Sequence, residues 1–309
     1  MQSSAWVIEP KIRYRSLRWY HLPLVFLITF AWLTCFGHAA ELMVSSAISP
    51  PPESSDKIRP DQLPHSRATY GQHNIKVAWL AGPTDRYRHG VLGDDFEAAR
   101  LVVETRSGKR LQLDLPPRRV FEDLEPRLVD LDGDGHDEII VVESDTSKGA
   151  SLAVYGVIDS QLRRIAATPF LGRPYRWLNP LGVGDFDGDG NLDIALVATP
   201  HIGGNLRLYR FNKPTLSLFA EYPGISTHQM GSTELGLGRV VSAFPRDQLL
   251  VPDQARRVLM LLEWSSNQWL MVARAALPGQ LGSSLTPTGA GGWHFQLEDS
   301  RHFVVQVNR

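Results

Sequence analysis

Cysteine is nearly absent from this sequence, with one among 309 residues. A single thiol excludes an intramolecular disulfide framework and a zinc site built on several cysteines. The net charge is also small, −1 at pH 7 from 32 Lys and Arg against 33 Asp and Glu. This balance argues against a nucleic-acid binder that works by neutralising many phosphates. From Ala68 onward the sequence lacks a sustained helical hydrophobic period, so we do not expect long amphipathic helices.

The first 39 residues have the pattern of an export signal. A basic start precedes an apolar run over residues 22–37, and small residues follow at Ala39 and Ala40. This resembles a bacterial secretory signal peptide, so we predict cleavage after residue 39 and a periplasmic or extracellular protein without a stable membrane span. The alternative is an uncleaved membrane anchor, although the 16 residues of the run are fewer than the roughly 20 that a spanning helix needs.

Loss of residues 1–39 would change the composition of the protein. It removes four basic residues, Glu9 and Cys35, which leaves 28 basic and 32 acidic side chains, a net charge of −4 and no cysteine. An exported protein without disulfides depends on a large core, on bound metal, or on both for its stability.

A linker is predicted for residues 40–67. Residues 45–67 contain five prolines and six serines with few large apolar side chains, a composition that favours an extended spacer over a packed core. We therefore expect the folded domain to span residues 68–309.

The domain is predicted to be all-β. Its apolar runs are short, rich in β-branched or aromatic residues, and separated by Gly, Pro and Asp. Runs of this kind are Ile139–Val142, Leu152–Tyr155, Ile194–Val197 and Phe303–Val307.

An internal repeat predicts the architecture. Its outline is a turn, a strand, a hairpin loop and a second strand, and the period is near 52 residues. The first apolar residues of the equivalent strands are Leu101, Leu152, Leu206, Val258 and Phe303. This period fits a four-stranded antiparallel sheet, and radial repetition of such sheets predicts a β-propeller of five blades. A β-sandwich is the alternative, but a fixed repeat is not expected there. The fifth copy ends after its third strand, so closure needs a donated strand, for which Leu42–Ile48 is a candidate.

Two acidic segments, residues 130–138 and 185–193, share one pattern 55 residues apart. Their sequences are DLDGDGHDE and DFDGDGNLD, with carboxylates at positions 1, 3, 5 and 9 and a glycine at position 6. Carboxylates this close repel one another unless a hard cation lies among them, and Ca²⁺ takes about six to eight oxygen ligands. The pattern predicts a calcium loop, in which His136 or Asn191 supplies its backbone carbonyl. The alternative is an acidic turn without metal.

An EF-hand loop also begins D-x-D-x-D-G, but it requires Glu at position 12 and a following helix. Position 12 is Val141 or Leu196, inside strand-like runs, which excludes an EF-hand. The segments instead resemble the calcium-binding repeat of the FG-GAP or VCBS family, found in the propeller of integrin α-subunits and in exported bacterial proteins. The resemblance is specific over residues 126–200.

The resemblance implies a calcium ligand set. The implied ligands are Asp130, Asp132, Asp134, the carbonyl of His136 and Glu138, followed by Asp185, Asp187, Asp189, the carbonyl of Asn191 and Asp193. Glu138 departs from the usual Asp, and the adjacent Asp137 is a competing ligand. The other repeats lack the motif, so at most two Ca²⁺ ions are implied. A loop that offers five ligands from nine residues mostly encloses its ion, so we expect a structural role and no catalysis at the metal.

Catalytic motifs are missing. The sequence has no G-x-S-x-G, no H-E-x-x-H and no G-x-G-x-x-G after a strand. We expect His201, His228 and Asp94–Asp95 at the loop surface. Carboxylates distant in sequence can still converge on a propeller face, so a polysaccharide hydrolase or lyase is the alternative to a non-enzymatic protein.

A binding or scaffold function, with a protein or glycan partner, is the favoured class. The segment 172–177 between two repeats combines two arginines with two aromatic residues, a mixture found at protein hot spots and sugar-stacking sites. The candidate partner-binding residues are Arg173, Tyr175, Arg176 and Trp177. The alternative is that Trp177 packs in the interior and the arginines face solvent.

Overall fold

The computed structural model describes residues 40–50, 58–243, 245–289 and 291–308. Within these ranges the regular elements are all β-strands, which confirms the all-β prediction. The same residues contain no helix long and apolar enough to cross a membrane. The predicted signal peptide, residues 1–39, lies outside the described part of the chain.

The strands are mostly short, as the punctuation by Gly, Pro and Asp predicts. In chain order they are β1 (Glu41–Ser46), β2 (Thr69–Tyr70), β3 (Ile75–Thr84), β4 (Glu97–Thr105), β5 (Arg110–Asp114), β6 (Arg119–Phe121), β7 (Arg127–Val129), β8 (Glu138–Asp145), β9 (Gly149–Ile158), β10 (Gln161–Ala167), β11 (Leu178–Gly184), β12 (Asp193–Ala198), β13 (Asn205–Asn212), β14 (Thr215–Pro223), β15 (Arg239–Val241), β16 (Gln248–Pro252), β17 (Val258–Ser265), β18 (Gln268–Ala276), β19 (Thr286–Pro287), β20 (Gly292–Gln296) and β21 (His302–Asn308).

Pairing joins these strands into three sheets, of thirteen, four and four strands. Within the sheets we number five antiparallel runs of four strands, called units, from 1 to 5. Units 1 to 4 are β2–β5, β7–β10, β11–β14 and β15–β18, and unit 5 is β19–β21 with β1. β6 pairs with both β4 and β8, and so joins units 1 and 2. A single parallel pairing, Ala167 with Thr215, joins β10 of unit 2 to β14 of unit 3. The four-stranded units match the period of the sequence repeat.

Unit 5 combines the two ends of the described chain. β1 pairs with β21 over its whole length, from Glu41–Asn308 to Ser46–Phe303. β1 therefore completes the sheet that the truncated fifth repeat leaves one strand short. Residues 40–67 thus differ from the predicted linker, because they contain this strand and the buried Leu63.

The middle strands of the units carry most of the core. Every residue of β8 and β12 is buried, because these strands have a neighbour on each side and covered sheet faces. Their apolar runs are therefore continuous. Outer strands such as β5 alternate exposed and half-buried residues, as expected where one face is solvated.

The repeat markers occupy equivalent places. Leu101, Leu152, Leu206, Val258 and Phe303 lie in β4, β9, β13, β17 and β21, the third strand of each unit. The two acidic segments connect the first strand to the second in units 2 and 3. We call residues 130–137 and 185–192 acidic loops 1 and 2. Both begin where a first strand ends.

Candidate metal centres and a polar cluster at the opposite end

Glycines shape both acidic loops. Gly135 and Gly190, at position 6, have positive φ values of 82° and 85°, a conformation that glycine adopts at no steric cost. The sharp turn folds the loop back on its first carboxylate. In loop 1, Asp130 accepts hydrogen bonds from the backbone N–H groups of Asp134 (3.0 Å) and Gly135 (2.9 Å).

Acidic loop 1 brings three carboxylates together. Asp130, Asp132 and Glu138 each place an oxygen within 4.8 Å of the other two. Asp134 is not a member of this group, and its Oδ1 accepts the backbone N–H of His136 at 2.9 Å. The imidazole of His136 is 60% exposed and is not a member of this group either.

Asp137 and Glu138 have separate roles. Asp137 points away from the loop and accepts backbone N–H groups of unit 1, those of His73 (2.9 Å) and Ile75 (3.2 Å). Glu138 points into the loop, where its Oε2 accepts the N–H of Leu131 at 2.8 Å. Burial raises the pKa of Glu138 to about 7. Of these two neighbours, only Glu138 therefore lies among the carboxylates of loop 1.

Acidic loop 2 has a similar group. Oxygens of Asp185, Asp187 and Asp189 lie within 4.8 Å of one another. Asp185 accepts the N–H groups of Gly188 (2.8 Å) and Asp189 (3.1 Å), and the N–H of Asn191 donates to Asp189 at 2.8 Å. Backbone donors thus hold the carboxylates in place before any ion binds.

Asp193, at position 9 of this motif, has a buried carboxylate that lacks hydrogen bonds. Its side chain is 1% exposed, and neither carboxylate oxygen has a hydrogen-bond partner among the described residues. Burial, followed by repulsion from Asp187, raises the pKa of Asp193 to about 7. A buried carboxylate without partners is costly, and a cation within the loop would remove that cost.

Two basic side chains approach the loops. The Lys213 ammonium lies 2.7 Å from an oxygen of Asp132 and 3.7 Å from Glu138. Arg210 pairs with Asp187 in loop 2 but stays 3.9 Å from Asp193, which is too far for a hydrogen bond. Each loop thus has one basic side chain beside it, which comes from a neighbouring strand or turn. In loop 2, Arg210 does not donate a hydrogen bond to Asp193.

The donor set fits calcium. Each group contains three carboxylates and no nitrogen or sulfur side-chain donor, and hard oxygen donors suit Ca²⁺ better than softer transition metals. The oxygens of Asp193, which accept no hydrogen bond from the described residues, would be compensated by a cation in loop 2. If Ca²⁺ binds, it would neutralise mutual repulsion and brace the turn between the first and second strands.

The predicted partner loop divides into exposed and buried residues. Tyr175 is 50% exposed and has a positive φ of 55°. Its ring stacks on Tyr87 at 5.2 Å, and its N–H donates to the Tyr87 hydroxyl at 2.7 Å. Arg173 is exposed and Arg176 half-buried. Trp177 is only 2% exposed and donates to the Glu122 carbonyl at 2.8 Å, so it supports the loop from within and does not face a partner.

A buried polar cluster lies behind this loop. The carboxylate of Glu122 is 1% exposed and binds both the Nδ1 of His89 and the hydroxyl of Ser144. Glu122 precedes β7, whereas the acidic loop follows it, so the cluster lies at the end of unit 2 opposite acidic loop 1. Sequence reasoning missed these residues, because no local motif joins positions 89, 122 and 144.

The half-buried His201 and the buried His228 form a second polar pair beside Trp177. His228 Nε2 lies 2.9 Å from the carbonyl of Ser232, which can only accept, so His228 carries its proton there. Its Nδ1 therefore accepts from His201 Nε2 at 2.8 Å. Burial lowers the pKa of His201 to about 4 and that of His228 to about 3. The prediction that His228 lies at the loop surface is wrong, since it is 1% exposed.

This pair predicts acid sensitivity. Because the folded-state pKa of His228 is lowered from 6.5 to about 3, the unfolded chain binds the proton first. The contribution of neutral His228 to the free energy of unfolding is therefore fully present above pH 6.5 and decreases as the pH falls below 6.5. At about 1.4 kcal/mol per pH unit, the loss from His228 is of order 2 kcal/mol at about pH 5.

Denaturant unfolding of wild type and His228→Gln at about pH 7 and pH 5 measures this loss. The variant must be compared with wild type because other groups also titrate in this range. Burial raises the pKa of Glu97 to about 7, and a raised carboxyl pKa increases the free energy of unfolding as the pH falls. His65→Gln, at a 62% exposed position, is the control. An identical pH dependence in wild type and His228→Gln would contradict the prediction.

Comparison with known families supports the two acidic motifs. Residues 130–196 match the family model of an FG-GAP-like repeat, a segment that begins with acidic loop 1 and ends within β12. The comparison with curated proteins found no match to the chain. The chain thus carries an FG-GAP-like repeat over residues 130–196.

Proposed function

We propose that this protein is an exported, calcium-stabilised β-propeller of five blades that serves as a binding or scaffold module. The FG-GAP-like repeat supports a propeller-like binding module. The observation that carries the calcium assignment is Asp193, whose buried oxygens lack hydrogen-bond partners among the described residues and lie beside three converging carboxylates. Export rests on the sequence pattern of residues 1–39, and the mass of the mature chain tests it.

Closure into a propeller is supported by one cavity to which every unit contributes. Arg67 precedes β2, Arg127 opens β7, Gly182 lies in β11, Arg239 opens β15 and Ser284 precedes β19, and all five line the same cavity. First strands that surround a shared axis would bring these positions together. Radial repetition leaves few sheet edges exposed, and the pairing of β1 with β21 fits that arrangement.

The calcium ions are proposed to be structural. Each loop joins adjacent strands of one unit and offers carboxylates from consecutive residues, so the ion would be enclosed and no open coordination position is needed. In a mature chain without cysteine, such ions would take the place that disulfides hold in many exported proteins.

Calorimetric titration tests the two sites separately. We expect the wild type to bind two Ca²⁺ ions, and Asp132→Asn or Asp187→Asn each to leave one, because each removes a carboxylate from one loop only. Asp159→Asn is the matched control, since Asp159 is 79% exposed and lies outside both loops. Absence of calcium binding, or unchanged stoichiometry in both loop variants, would remove the metal from the proposal.

The partner is proposed to be a protein or a glycan that binds at the end opposite the acidic loops, where Tyr175 and Arg173 are exposed. Loops on a rigid scaffold are the usual place for such function. Binding without product release on glycan and envelope-protein arrays is the expected result. Product release that depends on protein carboxylates would favour the hydrolase or lyase alternative instead.

A further inference from the structure

Two adjoining cavities lie near the beginnings of the first strands, at the end opposite the acidic loops. Their volumes are about 180 and 440 Å³. Three residues, Arg67, Arg239 and Ser284, line both cavities. The walls are rich in guanidinium, hydroxyl and backbone groups, so the space suits a polar ligand.

Two guanidinium groups are fixed in the walls. Arg127 Nη1 donates to the buried carboxylate of Asp123 at 2.7 Å and to the carbonyl of Glu125 at 3.0 Å. Arg239 Nε donates to the carbonyl of Leu285 at 2.7 Å. Side chains that are already held lose little conformational freedom when a ligand binds, and the planar fork of arginine matches a carboxylate.

Arg67 supplies a third guanidinium that is open to a ligand. Its backbone is fixed by an N–H bond to the Leu124 carbonyl at 2.7 Å. Its exposed guanidinium makes no hydrogen bond or ion pair with any other residue of the described chain. A positively charged group in this position favours an anion over a neutral ligand.

The acidic residues of the walls are already engaged. Glu125 lies 3.9 Å from Arg127, and Glu234 accepts the N–H of Ser284 at 2.9 Å. Among the described lining residues, neither glutamate pairs with Arg67, so the positive charge of Arg67 remains available to a ligand.

The larger cavity adds groups that recognise hydroxyls. Ser283, Thr286 and Gln296 line it together with His294 and His302. The two imidazoles stack at 5.1 Å, with His302 Nδ1 3.2 Å from His294 Nε2. Hydroxyl, amide and imidazole groups both donate and accept hydrogen bonds, which suits a ligand with several hydroxyl groups.

We propose that these cavities bind a sugar acid, with its carboxylate at Arg67 and its hydroxyls toward the serine and histidine side. The inference rests on the proposed binding function and narrows the glycan partner to an acidic one. The proposed site is formed by these two cavities and does not include the acidic loops.

Calorimetric titration of the full mature chain with D-glucuronate, D-glucose and inorganic phosphate tests this inference. We expect binding of glucuronate and no measurable heat with glucose. Arg67→Gln should weaken glucuronate binding at least tenfold, because it removes a charge-assisted contact. Arg163→Gln, at a 51% exposed position on β10 outside the cavities, should bind as the wild type does.

Three results would overturn the inference: no glucuronate binding, equal binding by Arg67→Gln, or phosphate binding as tight as that of glucuronate, which would indicate a general anion site. Melting of the same samples with calcium and with EDTA separates this outcome from the proposed function. Calcium-dependent stability without glucuronate binding overturns the sugar-acid site alone. Glucuronate binding with no effect of calcium overturns the structural role of the metal and leaves this site in place.

Discussion

Asp193→Asn is expected to raise the melting temperature in EDTA and to lower it in calcium, relative to wild type under the same conditions. Without calcium, the wild-type carboxylate is 1% exposed and has no hydrogen-bond partner among the described residues. Asparagine has nearly the same shape and no charge. Above pH 7, where the Asp193 carboxyl is ionised, the gain should be about 1 to 3 kcal/mol, or roughly 2 to 4 °C per kcal/mol for a domain of this size.

With calcium the order reverses, because the charge that destabilises the free loop becomes a ligand. Ligand binding stabilises the folded state by about 2.7 kcal/mol at a hundredfold excess over Kd, and each tenfold loss of affinity removes about 1.4 kcal/mol of this. Thermal melts of both proteins in excess EDTA and excess Ca²⁺ measure the reversal.

Asp159→Asn is the matched control for this reversal. Asp159 is 79% exposed in the turn between β9 and β10, so the same chemical change there should alter neither melt. If Asp193→Asn lowered both melting temperatures equally, the Asp193 carboxylate would have a stabilising partner without calcium, and the metal assignment of loop 2 would lose its main support.

Leu42→Ala is expected to destabilise the protein by about 2 to 5 kcal/mol, the usual cost of truncating a buried leucine. Leu42 lies in β1, is 7% exposed, and belongs to the apolar cluster that includes Phe295 and Val305 of unit 5. Its backbone partner in β21 is Val307. The loss should be large for one residue because β1 is the only strand on that side of β21 in the described sheet.

Met43→Ala provides the control within the same strand. Met43 is adjacent to Leu42 but points to the other face and is 49% exposed, so its truncation should change the free energy of unfolding by no more than about 0.5 kcal/mol. Denaturant unfolding of the three proteins gives the comparison. Equal, small effects at both positions would show that β1 does not contribute to the stability of unit 5.

The local features of this protein were predictable from sequence. Strand content follows from short β-branched runs such as Ile139–Val142, and the acidic loops follow from carboxylates at positions 1, 3, 5 and 9 with glycine at position 6. These signals depend on residues within about ten positions of each other, and on a repeat that preserves their spacing.

The different roles of neighbouring carboxylates were not predictable from sequence. Asp137 and Glu138 are adjacent in sequence, and their roles differ because unit 1 presents backbone N–H groups to Asp137. The burial of His228 has the same kind of cause, since Trp177 and His201 come from other connections. Trp177 and His201 both lie more than twenty residues from His228 in the sequence.

The sequence by itself determined an all-β chain with two acidic loops, each long enough to gather carboxylates around one cation. Tertiary structure decided that β1 completes unit 5, that the buried Asp193 has no hydrogen-bond partner among the described residues, and that Arg67, Arg127 and Arg239 line one cavity. The physical reason is that strand geometry and turn chemistry act between neighbours along the chain. Burial, charge compensation and cavity walls depend on segments that only folding brings together.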